Sequence, residues 1–352
     1  MQASLATMIV HLVLDGVADG SLGIGLDVIG AAARIVEAGL VEMPQPTKTL
    51  RQRVVSLDGE SVRSGTQRLV PVDGALQVRA LRPGDVLVLP GLSAVVTERA
   101  IEGLLVRPDI KQAIELIAQA AAKGVKVAAS CSATFVVAAS GLLAGQNATT
   151  TWWLVPVFAR RFPDVTVCAD HMVVESEGNF TAGSAFAHAD LMLAVVARVA
   201  SASLSHLVAR YLVLDQRPSQ SRYMVMEHLR TEDPALRAME RFVVANLERQ
   251  MSLTELAHAA GTSERTLARR VHAGLGMTPQ AFVQRVRVAR AAFLLETTQA
   301  SVEEVASLVG YADATAFRRV FRRHLGESPT ETRGLTRPPP PSQSKTSPAQ
   351  AK

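Results

Sequence analysis

The sequence predicts two domains of different class: a parallel α/β sheet with helices on both faces in residues 1–205, and an all-α unit with two helix-turn-helix motifs over residues 235–334. Three observations predict this. The first half alternates β-prone runs with helical stretches, the pattern of a parallel sheet. Residues 252–329 repeat internally. Charge is also partitioned: residues 1–205 hold 16 Lys+Arg against 18 Asp+Glu, whereas residues 206–352 hold 21 against 14. The net +5 is therefore −2 in one part and +7 in the other, and a positive excess that follows the repeat suits a nucleic-acid partner.

In chain order, Met8–Leu14 predicts a buried strand and Leu22–Gly39 a helix. Lys48–Val72 alternates short β-prone runs with turn signals such as Asp58-Gly59 and Ser64-Gly65. Asp85–Leu89 is a second strong strand, and Asp109–Lys123 a helix that starts after Pro108. Val125–Ser130 is a third strand, followed at once by a helix over Ser132–Ala144. A short helix at Val155–Phe162, strands at Val165–Cys168 and Met172–Glu175, and a long helix at Ser184–Ser203 complete the half. Cys131 falls on the sharp strand-to-helix turn, the geometry of a nucleophile elbow. A helix N-terminus there favours a thiolate.

The repeat has its own grammar. Ser252, Glu255, Ala257 and Gly261 recur 49 positions on as Ser301, Glu304, Ala306 and Gly310. Arg269, Val271, Leu275, Gly276 and Pro279 recur 50 positions on as Arg319, Phe321, Leu325, Gly326 and Pro329. Ser with Glu three residues later is a capping box, and glycine closes the first helix of each copy. The second helices open near Ser263 and Asp313. They bury Leu267, Val271 and Leu275, then Phe317, Val320, Phe321 and Leu325, and turn Arg265, Arg269 and Arg270, then Arg318, Arg319, Arg322 and Arg323, outward. Between the copies, Phe282, Val286, Ala289 and Phe293 predict a helix with one buried face. About 19 helical residues span roughly 28 Å, comparable with the roughly 34 Å between successive major grooves.

Over residues 236–333 these paired units, their connecting helix and the GLGMTP and HLGESP endings closely resemble the DNA-binding domain of AraC-family transcriptional regulators. The resemblance implies double-stranded DNA as partner. It implies DNA contacts from Ser263, Arg265, Thr266, Arg269 and Arg270 on one reader and Ala314, Thr315, Arg318, Arg319 and Arg322 on the other. Arginine is the commonest bidentate reader of guanine.

DVLVLPG (85–91), VAASCSATFVVAASGLLAGQNATTTWW (127–153), FARRFPDVTV (158–167) and TAGSAFAHADLML (181–193) resemble the DJ-1/PfpI superfamily, in the form of the GlxA-like regulators that fuse such a flavodoxin-like domain to an AraC-type reader. Catalytic members pair the elbow cysteine with a histidine and a carboxylate. Here Ser132 follows Cys131, Thr151 stands where ATTHW has its histidine, and Ser21 stands where relatives often carry Asp. Nucleophilic catalysis needs a base within reach of the nucleophile. The resemblance without those groups implies a non-catalytic effector pocket at the strand ends, with Gly91, Leu92, Ser130, Cys131, Ser132, Trp152 and Trp153 as its candidate lining. The alternative is a DJ-1-superfamily enzyme using Cys131 and tethered to DNA.

Two cysteines give neither a disulfide framework nor a metal site, and no cofactor motif is present. Asp15 and Asp19 interrupt the first apolar stretch, so no signal peptide is expected, and cytoplasmic localisation follows. Val127–Gly145 carries no charge over 19 residues but is expected to be a strand feeding a buried helix, not a membrane span. Residues 206–234 are expected to be a linker and 335–352, rich in Pro and polar residues, a disordered tail. A homodimer is expected, with RNA polymerase as a candidate further contact.

Overall fold

The structure is a computed structural model that describes residues 7–41, 50–93, 95, 97–215, 217–220, 223, 233–275 and 277–335. Its N-terminal part begins with β1 (Thr7–Leu12), α1 (Asp19–Glu37), β2 (Leu50–Val55), the two-residue strands β3 (Val62–Arg63) and β4 (Leu69–Val70), and β5 (Val86–Leu89). Then come α2 (Glu98–Val106), α3 (Pro108–Ala122), β6 (Lys126–Ser130), α4 (Ala133–Ala139), β7 (Asn147–Ala148), α5 (Val155–Arg161) and β8 (Thr166–Val167). It ends with β9 (Val173–Ser176), β10 (Asn179–Ala182), α6 (His188–Val199) and α7 (Ala202–Tyr211).

The main sheet has strand order β2-β1-β5-β6-β10-β9; all neighbours are parallel except the β9–β10 hairpin. Parallel strands are buried on both faces, and two clusters do this. One, around Leu87, Ile110, Phe135 and Phe158, packs under α2, α3, α4 and α5. The other, around Ile9, Ile29, Leu191 and Leu204, packs under α1, α6 and α7. The uncharged Val127–Gly145 run is β6 followed by α4, and no helix of the described residues is long and apolar enough to cross a membrane.

Three expectations are corrected here. Asn179–Ala182 is a fully buried central strand between β6 and β9, in a run the sequence reading left without a strand. The helix expected over Ser184–Ser203 is two helices, broken at Ala200 (φ −122°, ψ −85°) and restarted by the Ser201 side chain, which accepts from Leu204 N–H. The expected linker start at residue 206 falls inside α7, whose Leu204, Val208 and Ala209 belong to the α1/α6 core.

The C-terminal part comprises α8 (Pro234–Ala245), α9 (Leu253–Ala259), α10 (Glu264–Leu275), α11 (Pro279–Thr297), α12 (Val302–Leu308), α13 (Ala314–Leu325) and α14 (Pro329–Leu335). Both capping boxes form: Ser252 with Glu255 and Ser301 with Glu304. Gly261 and Gly310 take left-handed backbone (φ 63° and 80°) at the turns.

The connecting helix α11 departs from the one-sided expectation. It gives Phe282, Val283 and Val286 to the first unit's core and Val288, Ala291 and Leu295 to the second's. At about 100° per residue these two sets point to roughly opposite sides. Phe293 shares the first set's azimuth but lies past the end of that core, so it is 52% exposed, with the Arg290 guanidinium over its ring. Arg287, buried between the two sets, donates to Arg249 O at 2.5 Å and stacks over Tyr311, while Gln250 donates to Gly310 O at 3.0 Å. These contacts tie the segment after α8 to the turn of the second unit. Of the expected tail 335–352, Leu335 ends α14 and 336–352 lie outside the described residues, as do 216, 221–222 and 224–232 of the expected linker.

Candidate nucleic-acid interface and small-molecule pocket

The second helix of each unit presents its arginines to solvent. Leu267, Val271 and Leu275 are buried on α10, and Arg265, Arg269 and Arg270 are exposed. Phe317, Phe321 and Leu325 are buried on α13, Val320 is half-buried, and Arg318, Arg319, Arg322 and Arg323 are exposed. Helix α10 runs beside α5 of the N-terminal domain, and its arginines stay exposed there. At the helix starts, Ser263 Oγ accepts from Thr266 N–H at 3.3 Å. The Asp313 carboxylate caps α13 through Thr315 N–H and Ala316 N–H, beside half-buried Ala314.

The arginines are not equivalent electrostatically. Arg318 pairs with Glu303, Arg270 with Asp233 at 3.2 Å, and Arg322 lies 3.9 Å from Glu331. Arg265, Arg269, Arg319 and Arg323 form no ion pair among the described residues. Exposed guanidiniums outside ion pairs on two helices of one scaffold can bind phosphate oxygens and guanine edges.

The elbow is built as expected. Cys131 has φ +56°, a left-handed conformation that costs a non-glycine residue strain. Its N–H donates to Gly183 O at 2.7 Å and lies 3.0 Å from Ala182 O. Gly91 lies close across from it: a Cβ there would sit 3.0 Å from Cys131 Cβ. Burial pushes the Cys131 thiol up, outweighing hydrogen bonds from Ser132 and Thr151, so it is held as the neutral thiol. This reverses the expectation that the helix N-terminus favours a thiolate. A group buried beside hydroxyls loses more by desolvation than a two-turn helix supplies.

No base reaches the thiol in the described contacts. His188 faces the other way, with Nδ1 2.9 Å from Ser130 Oγ, and burial with the neighbouring His11 pushes it down to about 3. His11 is pushed down to about 4 by burial against its Gln52 hydrogen bond. Ser21 donates to Ala185 O at 3.0 Å, while Asp19 bonds Thr66 and Asp27 is exposed.

Beside the elbow opens a cavity of about 540 Å³ with mainly apolar walls. Gly91, Leu92, Cys131, Trp152 and Trp153 all line it, the two indoles meeting edge to face at 5.2 Å. Ser130 and Ser132, expected beside them, do not line it. Ser130 is turned to His188, and the Ser132 hydroxyl bridges Leu92 N–H (3.1 Å) and Leu92 O (2.9 Å), pinning β5's loop to the elbow. The sequence reading also missed Met172 and Phe186, and Arg217, Gln220 and Tyr223 from beyond α7. Arg217 is clamped by Asp190 and Phe186 O. Among the described residues, no group of three His, Cys, Asp or Glu is placed to hold a metal ion.

Two arginine-faced recognition helices on a shared connecting helix define a double helix-turn-helix DNA-binding domain of the AraC type. Residues 256–334 match the family described as a helix-turn-helix domain, and the chain is similar to several HTH-type transcriptional regulators. It is 27% identical over 230 residues to the HTH-type transcriptional regulator GbdR of Pseudomonas aeruginosa, covering 64% of this chain and 62% of that one, so it spans just under two thirds of that relative's length. It is 27% identical over 215 residues to the regulator GlxA of Rhizobium meliloti, covering 60% and 65%. Among solved structures, a ThiJ/PfpI family protein from Pseudomonas syringae aligns at 17% identity and TM-score 0.48, covering 73% of this chain and 91% of that one.

Proposed function

We propose that the protein is a sequence-specific transcriptional regulator that senses a small metabolite with its non-catalytic N-terminal domain. The observation that carries the DNA-reading part is the pair of exposed arginine faces on α10 and α13, each backed by a separate core hung on α11. On this reading Arg269 and Arg319 read base edges, whereas Arg322 and Arg270 grip phosphates. Ser263, Arg265, Thr266, Ala314, Thr315 and Arg318 complete the contact surface.

The sensing part is supported by the cavity beside Cys131: an architectural protein with no effector would have a filled elbow. A protonated thiol, hydroxyls in place of a base and a neutral His188 turned away from it speak against the alternative, an enzyme using Cys131. The protein acts as a homodimer in the cytoplasm, presenting two copies of its paired readers to DNA. RNA polymerase is the further partner through which a bound regulator would act.

The experiment is selection of bound duplexes from a random pool, followed by footprinting of the enriched sequence. Protection of two adjacent major grooves on one side of the duplex is expected. Enrichment of no sequence would leave a non-specific DNA binder. Native mass spectrometry of the purified chain tests sensing through a retained small molecule that Cys131→Trp excludes. Turnover of any compound that Cys131→Ala abolishes would instead establish the enzyme.

A further inference from the structure

Between α7 and α8, residues Arg217–Gln220 touch both halves of the molecule. On one side they are wall. Arg217 and Gln220 line the cavity beside the elbow, as does Tyr223 three residues on. Gln220 Nε2 lies within hydrogen-bond reach of Thr149 Oγ1 (3.1 Å), Thr150 O (3.0 Å) and Ala169 O (2.8 Å). Thr150 in turn donates its hydroxyl to Cys131 O at 2.8 Å, so the segment is one residue removed from the elbow. Gln220 Oε1 is buried with no hydrogen-bond partner among the described residues. It is an acceptor that a ligand can use.

On the other side the segment is a dock for the second reader. The Ser219 hydroxyl sits 2.8 Å from Asp170 O and 3.0 Å from His324 O, in the last turn of α13. Its one proton serves only one of the two at a time. Pro218 packs against Gly326, the left-handed cap of α13: a Cβ on Gly326 would fall 2.5 Å from Pro218 Cγ. The same junction reaches α11. The Asp170 carboxylate pairs with Arg285, a buried arginine of the connecting helix, while Asp170 O accepts from Gln220 N–H at 3.0 Å.

We propose that occupancy of the elbow cavity and DNA engagement by the second helix-turn-helix unit are coupled through Arg217–Gln220, whose docking on α13 and on Asp170–Arg285 is the element both sites bias. This rests on the DNA-reading and sensing roles above and adds the route between them. A ligand that fills the cavity touches Arg217 and Gln220 only while the segment lies in place, so it favours the docked arrangement of α13 and α11. DNA that requires a different presentation of α13 disfavours it. Because coupling is reciprocal, an event at the readers must register in the pocket.

That reciprocity makes a test available without knowing the effector. Trp152 and Trp153 are the only tryptophans of the chain and both line the cavity, so intrinsic tryptophan emission reports on the pocket wall, and the Ser219→Ala variant separates a change carried by Arg217–Gln220 from one carried by α10 against α5. The probe is a short mixed-sequence duplex at low salt, where arginine faces bind phosphate regardless of sequence. Its binding to the full chain is followed by fluorescence anisotropy of a label on the DNA.

Tryptophan emission is expected to shift in step with DNA saturation. Ser219→Ala and Asp170→Asn, which touch neither the cavity nor the arginine faces, should bind the duplex but lose about half or more of that shift. Ser219→Ala removes one hydroxyl and keeps the test valid if uncovering Arg285 in Asp170→Asn costs folding. Saturation of the wild-type chain with no tryptophan response, or a full response in Ser219→Ala, overturns the coupling while leaving DNA binding intact. No binding by the wild-type chain overturns the DNA reading, and the coupling with it.

Discussion

The two helix-turn-helix units are duplicates in sequence and unequal in their surroundings. Superposed by the 50-residue offset, only one arginine position is common to both recognition helices: Arg269 matches Arg319. Arg318 corresponds to Ala268, Arg322 to His272, and Arg265 to Thr315. The shared pair is exposed and forms no ion pair among the described residues, although the Asp313 carboxylate lies within electrostatic reach of Arg319, whereas Arg270, Arg318 and Arg322 each have a carboxylate partner nearby; Arg265 and Arg323 are likewise outside the ion pairs. The first unit is joined to the rest mainly along α5, the second through Pro218, Ser219, Asp170 and Arg287. Duplication supplied the scaffold, and divergence assigned the second copy to communication.

The largest expected difference lies at the turn glycines. Both have positive φ, so alanine costs roughly 1–2 kcal/mol of backbone strain at either. Gly261 has nothing within 4 Å of an added Cβ, whereas at Gly310 that Cβ would sit 2.3 Å from Leu247 O and 2.7 Å from an Arg287 nitrogen. Overpacking adds about 1–3 kcal/mol there. Urea unfolding should therefore show Gly310→Ala destabilised well beyond Gly261→Ala. Equal midpoints would mean that the second turn is not wedged against the segment after α8.

The shared arginines come next. Arg269→Ala and Arg319→Ala should each cost about 1–3 kcal/mol of binding, concentrated at one base step of the selected site. Arg270→Ala should weaken all duplexes alike and lower the salt slope. Binding titrations on the selected sequence and on single-step variants separate the two patterns. A uniform loss for Arg269→Ala would make it a phosphate contact.

Much of this architecture was legible because local rules and tertiary packing agree in it. Ser252 with Glu255, Ser301 with Glu304, and Gly261 and Gly310 announce their own conformations, and the arginine faces follow from a 3.6-residue period. What stayed hidden is what depends on partners remote in the chain. β10 is four residues between Gly178 and Gly183, buried because β6 and β9 flank it, and nothing in Asn-Phe-Thr-Ala alternates. α11 hid its second buried face because it changes partners halfway. Half the elbow was predictable from VAASCSAT, but Arg217, Gln220 and Tyr223 enter the cavity from a stretch without periodicity. Ser130 and Ser132 were misplaced for a simpler reason: Ser130 ends β6 with its hydroxyl turned to His188, and past the left-handed turn at Cys131 the Ser132 hydroxyl is taken up by Leu92.

Acid acts mainly on the N-terminal domain, whose two fully buried histidines outweigh the half-buried His324 of the second reader. His11 and His188 are held neutral by burial, with folded values of about 4 and about 3. The unfolded chain takes up their protons below about 6.5. Because the unfolded state then binds more protons, stability is full above that value and falls as pH drops from about 6.5 toward 4, by up to about 1.4 kcal/mol per pH unit for each histidine. Thermal unfolding between pH 7.5 and 5 should show the sheet domain losing stability. His188→Gln should flatten the slope, and an unchanged slope in that variant would assign the loss elsewhere.

The smallest effect probes the ion pair that distinguishes the second reader. Glu303 holds Arg318, while the matching position in the first unit, Thr254, bonds Glu264 instead. Exposed pairs contribute about 0–1 kcal/mol, so Glu303→Gln should leave stability nearly unchanged. It frees Arg318 and removes a negative charge near the duplex, so affinity for all sequences should rise by no more than about fivefold, with a steeper salt dependence. If instead only the selected site gained affinity, Arg318 would be a base reader that Glu303 restrains. The second unit would then carry two reading arginines to the first unit's one, and the asymmetry between the copies would extend from their attachment to their specificity.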